Sequence, residues 1–169
     1  MKDFLIMHYL IILRGPPGSG KTHLANYMMS HLSIRRDDTL LDLDEVTPYK
    51  FDENISRVLK HDIVIGEMHF GGSHTKEPRK WLEKFEKKYK ILSVVLIVGF
   101  DECIKNAVCR QEHPLTPSDA IHQYFLFYTE HQHIFNSKAR VKEIQLYCKD
   151  KTTQQLQDEI LNDPVLTDG

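Results

Sequence analysis

The sequence contains little cysteine, and its cysteines form no recognisable framework. The three residues, Cys103, Cys109 and Cys148, are odd in number, and none belongs to a C-x-x-C pair. This pattern argues against a disulfide-stapled secreted domain and against a cysteine-based zinc site. It is typical of intracellular proteins, and we predict a cytoplasmic location.

Long apolar runs are also missing. The run near the N-terminus, residues 4–13, is far shorter than the ~20 residues that span a bilayer. No small-residue cleavage site follows it. We therefore expect neither a membrane segment nor a targeting segment.

Charge of one sign is not in excess, because the formal net charge is −2. A chain without a global basic field is not expected to bind nucleic acid tightly and nonspecifically. Internal repeats and low-complexity linkers are absent from the sequence as well. With 169 residues, 41% hydrophobic and 27% charged, the chain predicts one globular domain over 1–169, with a frayed tail at 163–169.

One motif stands out against this background. The residues after the apolar run 9–13 satisfy G-x-x-x-x-G-K-[ST], and they are Gly15, Pro16, Pro17, Gly18, Ser19, Gly20, Lys21 and Thr22. A helical pattern follows directly, so the motif lies in the strand–loop–helix context that a phosphate-binding loop requires. The alternative is a Gly-rich turn followed by a chance Lys-Thr, and this context weighs against it.

The residue types of the motif suit a nucleoside triphosphate with magnesium. Glycines let successive N–H groups face one anionic centre, and the following helix adds the partial positive charge of its N-terminus. Lys21 would reach the β- and γ-phosphates, and the Thr22 hydroxyl would ligate a Mg²⁺ held between them. The sequence therefore predicts a protein that binds a nucleoside triphosphate and Mg²⁺.

Apolar runs of the buried type alternate with amphipathic segments along the chain. Strands are predicted at 8–13, 39–44, 62–67, 91–99 and 143–148, and helices at 20–33, 52–59, 76–90, 101–111, 116–136 and 152–161. Asp52, Asp101 and Thr116 are predicted N-caps, and Thr152 with Gln155 resembles a capping box. Five apolar strands alternating with helices predict a three-layer α/β domain with a parallel sheet.

Acidic residues close the second and third predicted strands. Asp42 and Asp44 stand at the end of one strand, and Glu67 ends the other, where a Walker-type acid would be expected. The carboxyl ends of parallel strands meet at the edge where open α/β sheets bind ligands. A carboxylate there can accept the proton of an attacking hydroxyl or ligate magnesium. The competing interpretation is that Asp42 and Asp44 are ordinary turn and cap acids.

These features together resemble the P-loop kinases of small molecules and nucleotides, a group that includes shikimate, gluconate and polynucleotide kinases. The shared features are the loop after strand one, the acid pair after strand two and an arginine after strand four. The resemblance covers nearly the whole chain in element order, and its highly specific part is the loop. It implies a P-loop NTPase fold with a five-stranded parallel sheet in the order 2-3-1-4-5 and helices on both faces.

The resemblance also implies roles for residues outside the loop. Asp44 matches the acceptor-binding acid or general base, Asp42 a magnesium-associated acid, and Arg110 the lid arginine that closes on the phosphates. Many relatives carry two or more lid arginines, whereas the segment 109–114 has one. The stretch 35–38, Arg-Arg-Asp-Asp, is similar to the Arg-Asp-Asp of polynucleotide kinases but precedes the apolar strand, so we give it no role. The predicted catalytic residues are Lys21, Asp44 and Arg110, and the predicted magnesium-side residues are Thr22, Asp42 and Glu67.

The histidines, ten in number, do not follow the pattern of a transition-metal site. His131 and His133 are two apart on a predicted helix and would therefore face different directions, and no i,i+4 His pair with a third ligand is present. His69 and His74 follow the third strand and could contact an acceptor.

The leading hypothesis is an ATP- and Mg²⁺-dependent kinase. Its predicted acceptor is a small molecule or a nucleotide, and a nucleic-acid 5′-hydroxyl is a further candidate acceptor. No oligomeric state is predicted. The alternative is an NTP-hydrolysing switch or ATPase module that acts on a macromolecular partner. A guanine-specific switch would carry Asn-Lys-x-Asp after a strand, which this sequence lacks. A motor would carry a hydrophobic Walker B strand that ends in Asp-Glu, and residues 99–102 match that pattern only weakly.

Overall fold

A computed structural model of the chain describes residues 8–32, 34, 39–45, 47–68, 79–131, 134–135 and 140–167. Within these residues five strands form one sheet: β1 His8–Arg14, β2 Leu40–Asp42, β3 Ile63–Met68, β4 Tyr89–Ile97 and β5 Val141–Tyr147. Every pairing is parallel, and the strand order is β2-β3-β1-β4-β5. This is the parallel sheet that the sequence predicts, with the order 2-3-1-4-5 that the resemblance to P-loop kinases implies.

Strand β1 lies at the centre because it is apolar on both faces. It pairs with β3 on one side and with β4 on the other, and Leu10, Ile11, Ile12 and Leu13 are all buried. A central parallel strand directs the loop that follows it to the middle of the carboxyl edge, where ligands bind in open sheets of this kind.

Helices cover both faces of the sheet. They are α1 Lys21–His31, α2 Pro48–Val58, α3 Arg79–Glu86, α4 Phe100–Cys109, α5 Pro117–Leu126, α6 Thr153–Leu161 and the short α7 Pro164–Thr167; a π-helical turn, Phe127–His131, continues α5. In the part of the chain that the structure describes, no helix has both the length and the apolar character to cross a bilayer.

The side chains of β1 alternate between two hydrophobic cores. Leu10 and Ile12 pack in one core with apolar residues of α2 and α3, whereas Ile11 and Leu13 pack in the other with those of α1, α4 and α6. Alternation along a strand sends successive side chains to opposite faces. The result is the three-layer arrangement that the sequence predicts.

Two of the predicted helix starts are wrong. Helix α2 begins at Pro48 after Thr47, four residues before Asp52, because proline suits the first helical position. Helix α4 begins at Phe100 after Gly99, and Asp101 lies in its first turn without capping it. The caps at Thr116 and Thr152 are confirmed: Thr116 accepts from Asp119 N, and Thr152 with Gln155 forms a complete capping box.

Three predicted segment ends also differ. Helix α3 ends at Glu86 and does not reach residue 90, because Tyr89 and Lys90 pair with β1 in the sheet. The α-helical part of α5 ends at Leu126, ten residues short of the predicted end at 136. Residues 164–167, predicted to be frayed, form α7, and the buried Asp163 carboxylate accepts from Val165 N at 2.9 Å and from Lys142 Nζ at 3.1 Å.

Candidate active site

The carboxyl edge of the sheet opens into a cleft of about 1000 Å³. Its walls come from the loop after β1, the ends of β2 and β3, helix α4 with the segment that follows it, and α5. The lining residues are Pro17, Gly18, Gly20, Lys21, Thr22, His23, Asp42, Asp44, Glu67, Asn106, Arg110, Glu112, His113, Leu115 and Gln123. Lys21, Thr22, Asp42, Asp44, Glu67 and Arg110, which the sequence marks as catalytic or magnesium-side residues, therefore line one cleft.

The loop 15–22 adopts a backbone that needs its glycines. Gly18 and Gly20 have φ angles of 85° and 92°, in the region that side chains with a Cβ rarely adopt. A Cβ on Gly15 would lie 2.5 Å from Ser19 Oγ, and one on Gly18 would lie 2.2 Å from the backbone oxygen of Cys103. A larger residue at position 18 would push the loop away from α4, and one at position 15 would displace the Ser19 side chain.

Lys21, the first residue of α1, folds back over the loop. Its ammonium group donates to the carbonyl oxygens of Gly15 at 2.7 Å and Pro16 at 3.1 Å, with the Ser19 hydroxyl at 3.4 Å. The half-buried amine thus lies above the same backbone turn whose N–H groups would face phosphate oxygens. This is a cradle that suits a triphosphate and its lysine counter-charge.

Lys21 interacts electrostatically with other charged side chains of the cleft. Burial lowers the pKa of Lys21 to about 8, and the nearby carboxylates of Asp44 and Glu67 oppose that shift, whereas the Arg110 guanidinium adds to it. Residues predicted from three separate parts of the sequence are thus close enough to be electrostatically coupled to the loop lysine.

The acids are positioned by the ends of two paired strands. Asp42 is the last residue of β2 and lies in register with Glu67 on β3. Asp44 follows in a turn, where its backbone N–H donates to Asp42 Oδ1 at 2.9 Å. The chain therefore leaves the sheet between the two aspartates, and both reach the cleft.

Arg110 follows the last residue of α4 and is exposed on the rim of the cleft. Its Nε donates to the carbonyl oxygen of His113 at 2.6 Å. His113 has a φ of 51°, an unusual conformation for a residue other than glycine. The segment then returns to the helix through a hydrogen bond from Leu115 N to Ala107 O at 3.1 Å, so Arg110 is carried on a short, self-closed turn.

Helix α4 holds the loop from outside, through contacts that sequence reasoning missed. The Cys103 thiol donates to Pro17 O at 3.1 Å, and Asn106 Nδ2 donates to Gly18 O at 3.3 Å. Burial raises the pKa of Cys103 to about 11, so the thiol remains a donor at neutral pH. A cysteine and an asparagine one turn apart on a helix carry no motif, and their role follows only from packing.

Other cleft residues also have no sequence signature. His23, Glu112 and Gln123 line it from α1, the turn after α4 and α5. His69, His74, His133 and residues 35–38 lie outside the described residues. Among the residues that are described, no group of at least three His, Cys, Asp or Glu side chains is arranged to hold a metal ion. Mg²⁺ in proteins commonly takes one or two carboxylate ligands together with substrate phosphate oxygens and water.

Comparison with known proteins supports the fold at low sequence identity. No family model matches the chain, and no curated protein matches it. Shikimate kinase from Acinetobacter baumannii, solved in complex with shikimate, superimposes with a TM-score of 0.58 at 15% identity, over 95% of this chain and 94% of that one.

Two further solved structures give the same result. A gluconokinase from Sinorhizobium meliloti 1021 has a TM-score of 0.55 at 13% identity, over 95% of this chain and 92% of that one. Shikimate kinase from Bacteroides thetaiotaomicron has a TM-score of 0.55 at 16% identity, over 90% and 96%. The chain has the P-loop NTPase fold. These three solved structures are small-molecule kinases, the group that the sequence resembles.

Proposed function

We propose that the protein is an ATP- and Mg²⁺-dependent phosphotransferase that moves the γ-phosphate of ATP to a hydroxyl group. One observation carries the proposal: the loop lysine, the acids at the ends of β2 and β3, and Arg110 line the same cleft. A small-molecule acceptor is favoured because the structural neighbours are kinases of small molecules. A nucleotide or a nucleic-acid 5′-hydroxyl would be phosphorylated by the same chemistry.

The loop would bind the triphosphate. Backbone N–H groups of the loop, which Pro16 and Pro17 lack, and the N-terminus of α1 would face the phosphate oxygens. Lys21 would exchange its contacts with Gly15 O and Pro16 O for the β- and γ-phosphates. Thr22, with Asp42 or Glu67, would hold the metal. Bound Mg²⁺ neutralises charge on the β- and γ-phosphate oxygens.

Asp44 is the proposed acceptor-side base. It would take the proton from the acceptor hydroxyl as that oxygen attacks the γ-phosphorus and the bond to the ADP oxygen breaks. Arg110, on its turn at the rim, would move inward to offset the negative charge on the transferring group. Lys21 would contact the β- and γ-phosphates from the loop, so the three residues have separate roles.

Transfer of a labelled γ-phosphate to pooled acceptors tests the proposal. The pools would contain polyols, sugar acids, nucleosides, nucleotides and 5′-hydroxyl oligonucleotides, with Mg²⁺ present, and Lys21→Ala would serve as the blank. We expect label in one acceptor class with the wild type and none with the variant. Release of labelled inorganic phosphate from the wild type at a rate that no acceptor increases would instead identify a hydrolase, with Glu67 as the candidate to orient water.

A further inference from the structure

The residue before the loop, Arg14, is a charged side chain enclosed in the protein. Only 1% of it is exposed, and among the residues that the structure describes it is the largest of the fully buried side chains. Burial lowers the pKa of Arg14 to about 10, although Glu143 opposes the shift. Removing a guanidinium from water is costly unless it is paired and hydrogen-bonded. A buried arginine at the end of the central strand therefore calls for an explanation beyond core packing.

The contacts of Arg14 join three adjacent strands. From β1, its Nη1 donates to Glu143 Oε2 on β5 at 2.6 Å and lies 3.3 Å from Ser93 Oγ on β4. The Ser93 hydroxyl is itself 3.4 Å from the same Glu143 oxygen. The guanidinium also lies over the rings of Phe135 and Phe127, at 4.9 Å and 6.0 Å from their centroids.

This network is connected through the chain to two walls of the cleft. On one side, Arg14 is followed directly by Gly15, whose carbonyl accepts the hydrogen bond from Lys21. On the other side, Phe127 begins the π-helical turn that continues α5, and α5 contributes Gln123 to the cleft. A shift of the guanidinium would therefore displace both the phosphate-binding loop and α5.

We propose that Arg14 is a positioning residue for the phosphate-binding loop. Its ion pair with Glu143 and its contact with Phe127 fix the end of β1 relative to β5 and α5, so the loop is preformed for a triphosphate. Preorganisation of this kind lowers the cost of ordering a site when the ligand binds. The inference rests on the proposed function, because it assumes that the loop binds MgATP.

The test separates positioning from stability by removing the pair in two ways. Glu143→Leu alone leaves the buried Arg14 guanidinium without the Glu143 carboxylate, and Arg14→Met alone leaves the partly exposed Glu143 carboxylate without the guanidinium. Each should lower the urea midpoint of unfolding. The double variant removes both charges, and replacing a buried ion pair by apolar side chains often costs no stability. We expect its urea midpoint to return to near the wild-type value, whereas its Kd for MgATP, measured by calorimetry, stays at least tenfold above wild type.

If the double variant is as stable as the wild type and also binds MgATP with the wild-type Kd, the inference is overturned, because the ion pair would then matter for the fold alone. If the double variant does not fold, Ser93→Ala carries the test, because it removes the hydroxyl that contacts both Arg14 and Glu143. We expect a two- to threefold rise in the MgATP Kd, and an unchanged Kd would count against the inference. Tyr89→Phe is the matched control, because it also removes a buried hydrogen bond from β4 but does so at the opposite end of the strand from the loop. Its Kd for MgATP should equal that of the wild type. Failure of the wild type to bind MgATP would be a different result, which removes the proposed function and this inference with it.

Discussion

The two edges of the sheet use polar groups in opposite ways. At the amino edge, the buried Tyr89 hydroxyl lies 2.5 Å from His61 O, 3.0 Å from Leu59 O and 3.4 Å from Val58 O, and so satisfies the end of α2. His8 pairs with Asp62 at 3.3 Å beside it. Polar side chains there complete the secondary structure, as helix ends require.

At the carboxyl edge the polar side chains converge on a cleft. Lys21, Asp44, Glu67 and Arg110 come from four different segments, and their charges interact across the opening. The comparison teaches that a parallel sheet concentrates chemistry at one edge and structural capping at the other. Substitutions at the carboxyl edge should therefore change catalysis, and those at the amino edge should change stability.

The largest effect is expected from Lys21→Ala. The variant removes the ammonium group that would contact the phosphates, so phosphate transfer should fall to background while the urea midpoint stays close to wild type. Transfer assays and urea unfolding on the same preparation check both halves. Turnover at the wild-type rate would mean that the loop has no catalytic role.

Arg110→Ala should lower kcat by about 10²- to 10³-fold, because an arginine that offsets charge on the transferring phosphate acts mainly in the transition state. Lys105→Ala is the control, since it removes a positive charge from α4 outside the cleft lining. Steady-state kinetics would reject the assignment of Arg110 if kcat did not change, whatever happened to KM.

Raising the pH should weaken nucleotide binding through Lys21. The pKa of Lys21 in the nucleotide-free protein is about 8, and bound phosphates would favour the charged form, so binding takes up a proton once pH exceeds that value. Affinity for MgATP should fall by up to about tenfold per pH unit above 8. Calorimetry in buffers of different ionisation enthalpy would measure the uptake. Lys21→Arg should show none, because its guanidinium does not titrate in this range.

The smallest effect on activity is expected from Tyr89→Phe. Loss of the hydroxyl removes the one proton that Tyr89 shares between the carbonyl oxygens of Leu59 and His61, just after α2, which should reduce the free energy of unfolding by about 1–2 kcal/mol. The Kd for MgATP and kcat should not change. A catalytic defect without loss of stability would erase the distinction between the two edges.

The sheet and the loop could be predicted because their signals are local. A continuous apolar run predicts a strand that is buried on both faces, and the glycine-rich motif has a fixed spacing. Both can therefore be recognised from residues that are close together in the sequence. The predicted helix starts at Asp52 and Asp101 are wrong, because Pro48 begins α2 four residues earlier and α4 begins directly after Gly99. Tyr89 has an apolar spacing that fits α3, but pairing with β1 placed it in a strand.

The convergence of the site was only partly predictable. Parallel topology places Asp44 and Glu67 at one edge, so their proximity to the loop follows from strand order. The buried Arg14–Glu143 pair depends on residues 129 positions apart, and a lone arginine at the end of an apolar strand was the only hint. Cys103 and Asn106 contact the loop because α4 packs against Gly18, and no local pattern encodes that contact.

The most direct measurement of the central claim uses Asp44→Asn. The substitution keeps the size of the side chain but removes the proton acceptor and its negative charge. If the cleft is a kinase active site, calorimetry should show MgATP affinity within a few fold of wild type, while transfer to the acceptor found by screening falls at least about 10²-fold. Transfer at the wild-type rate, with binding unchanged, would contradict the role of Asp44 and the kinase mechanism built on it.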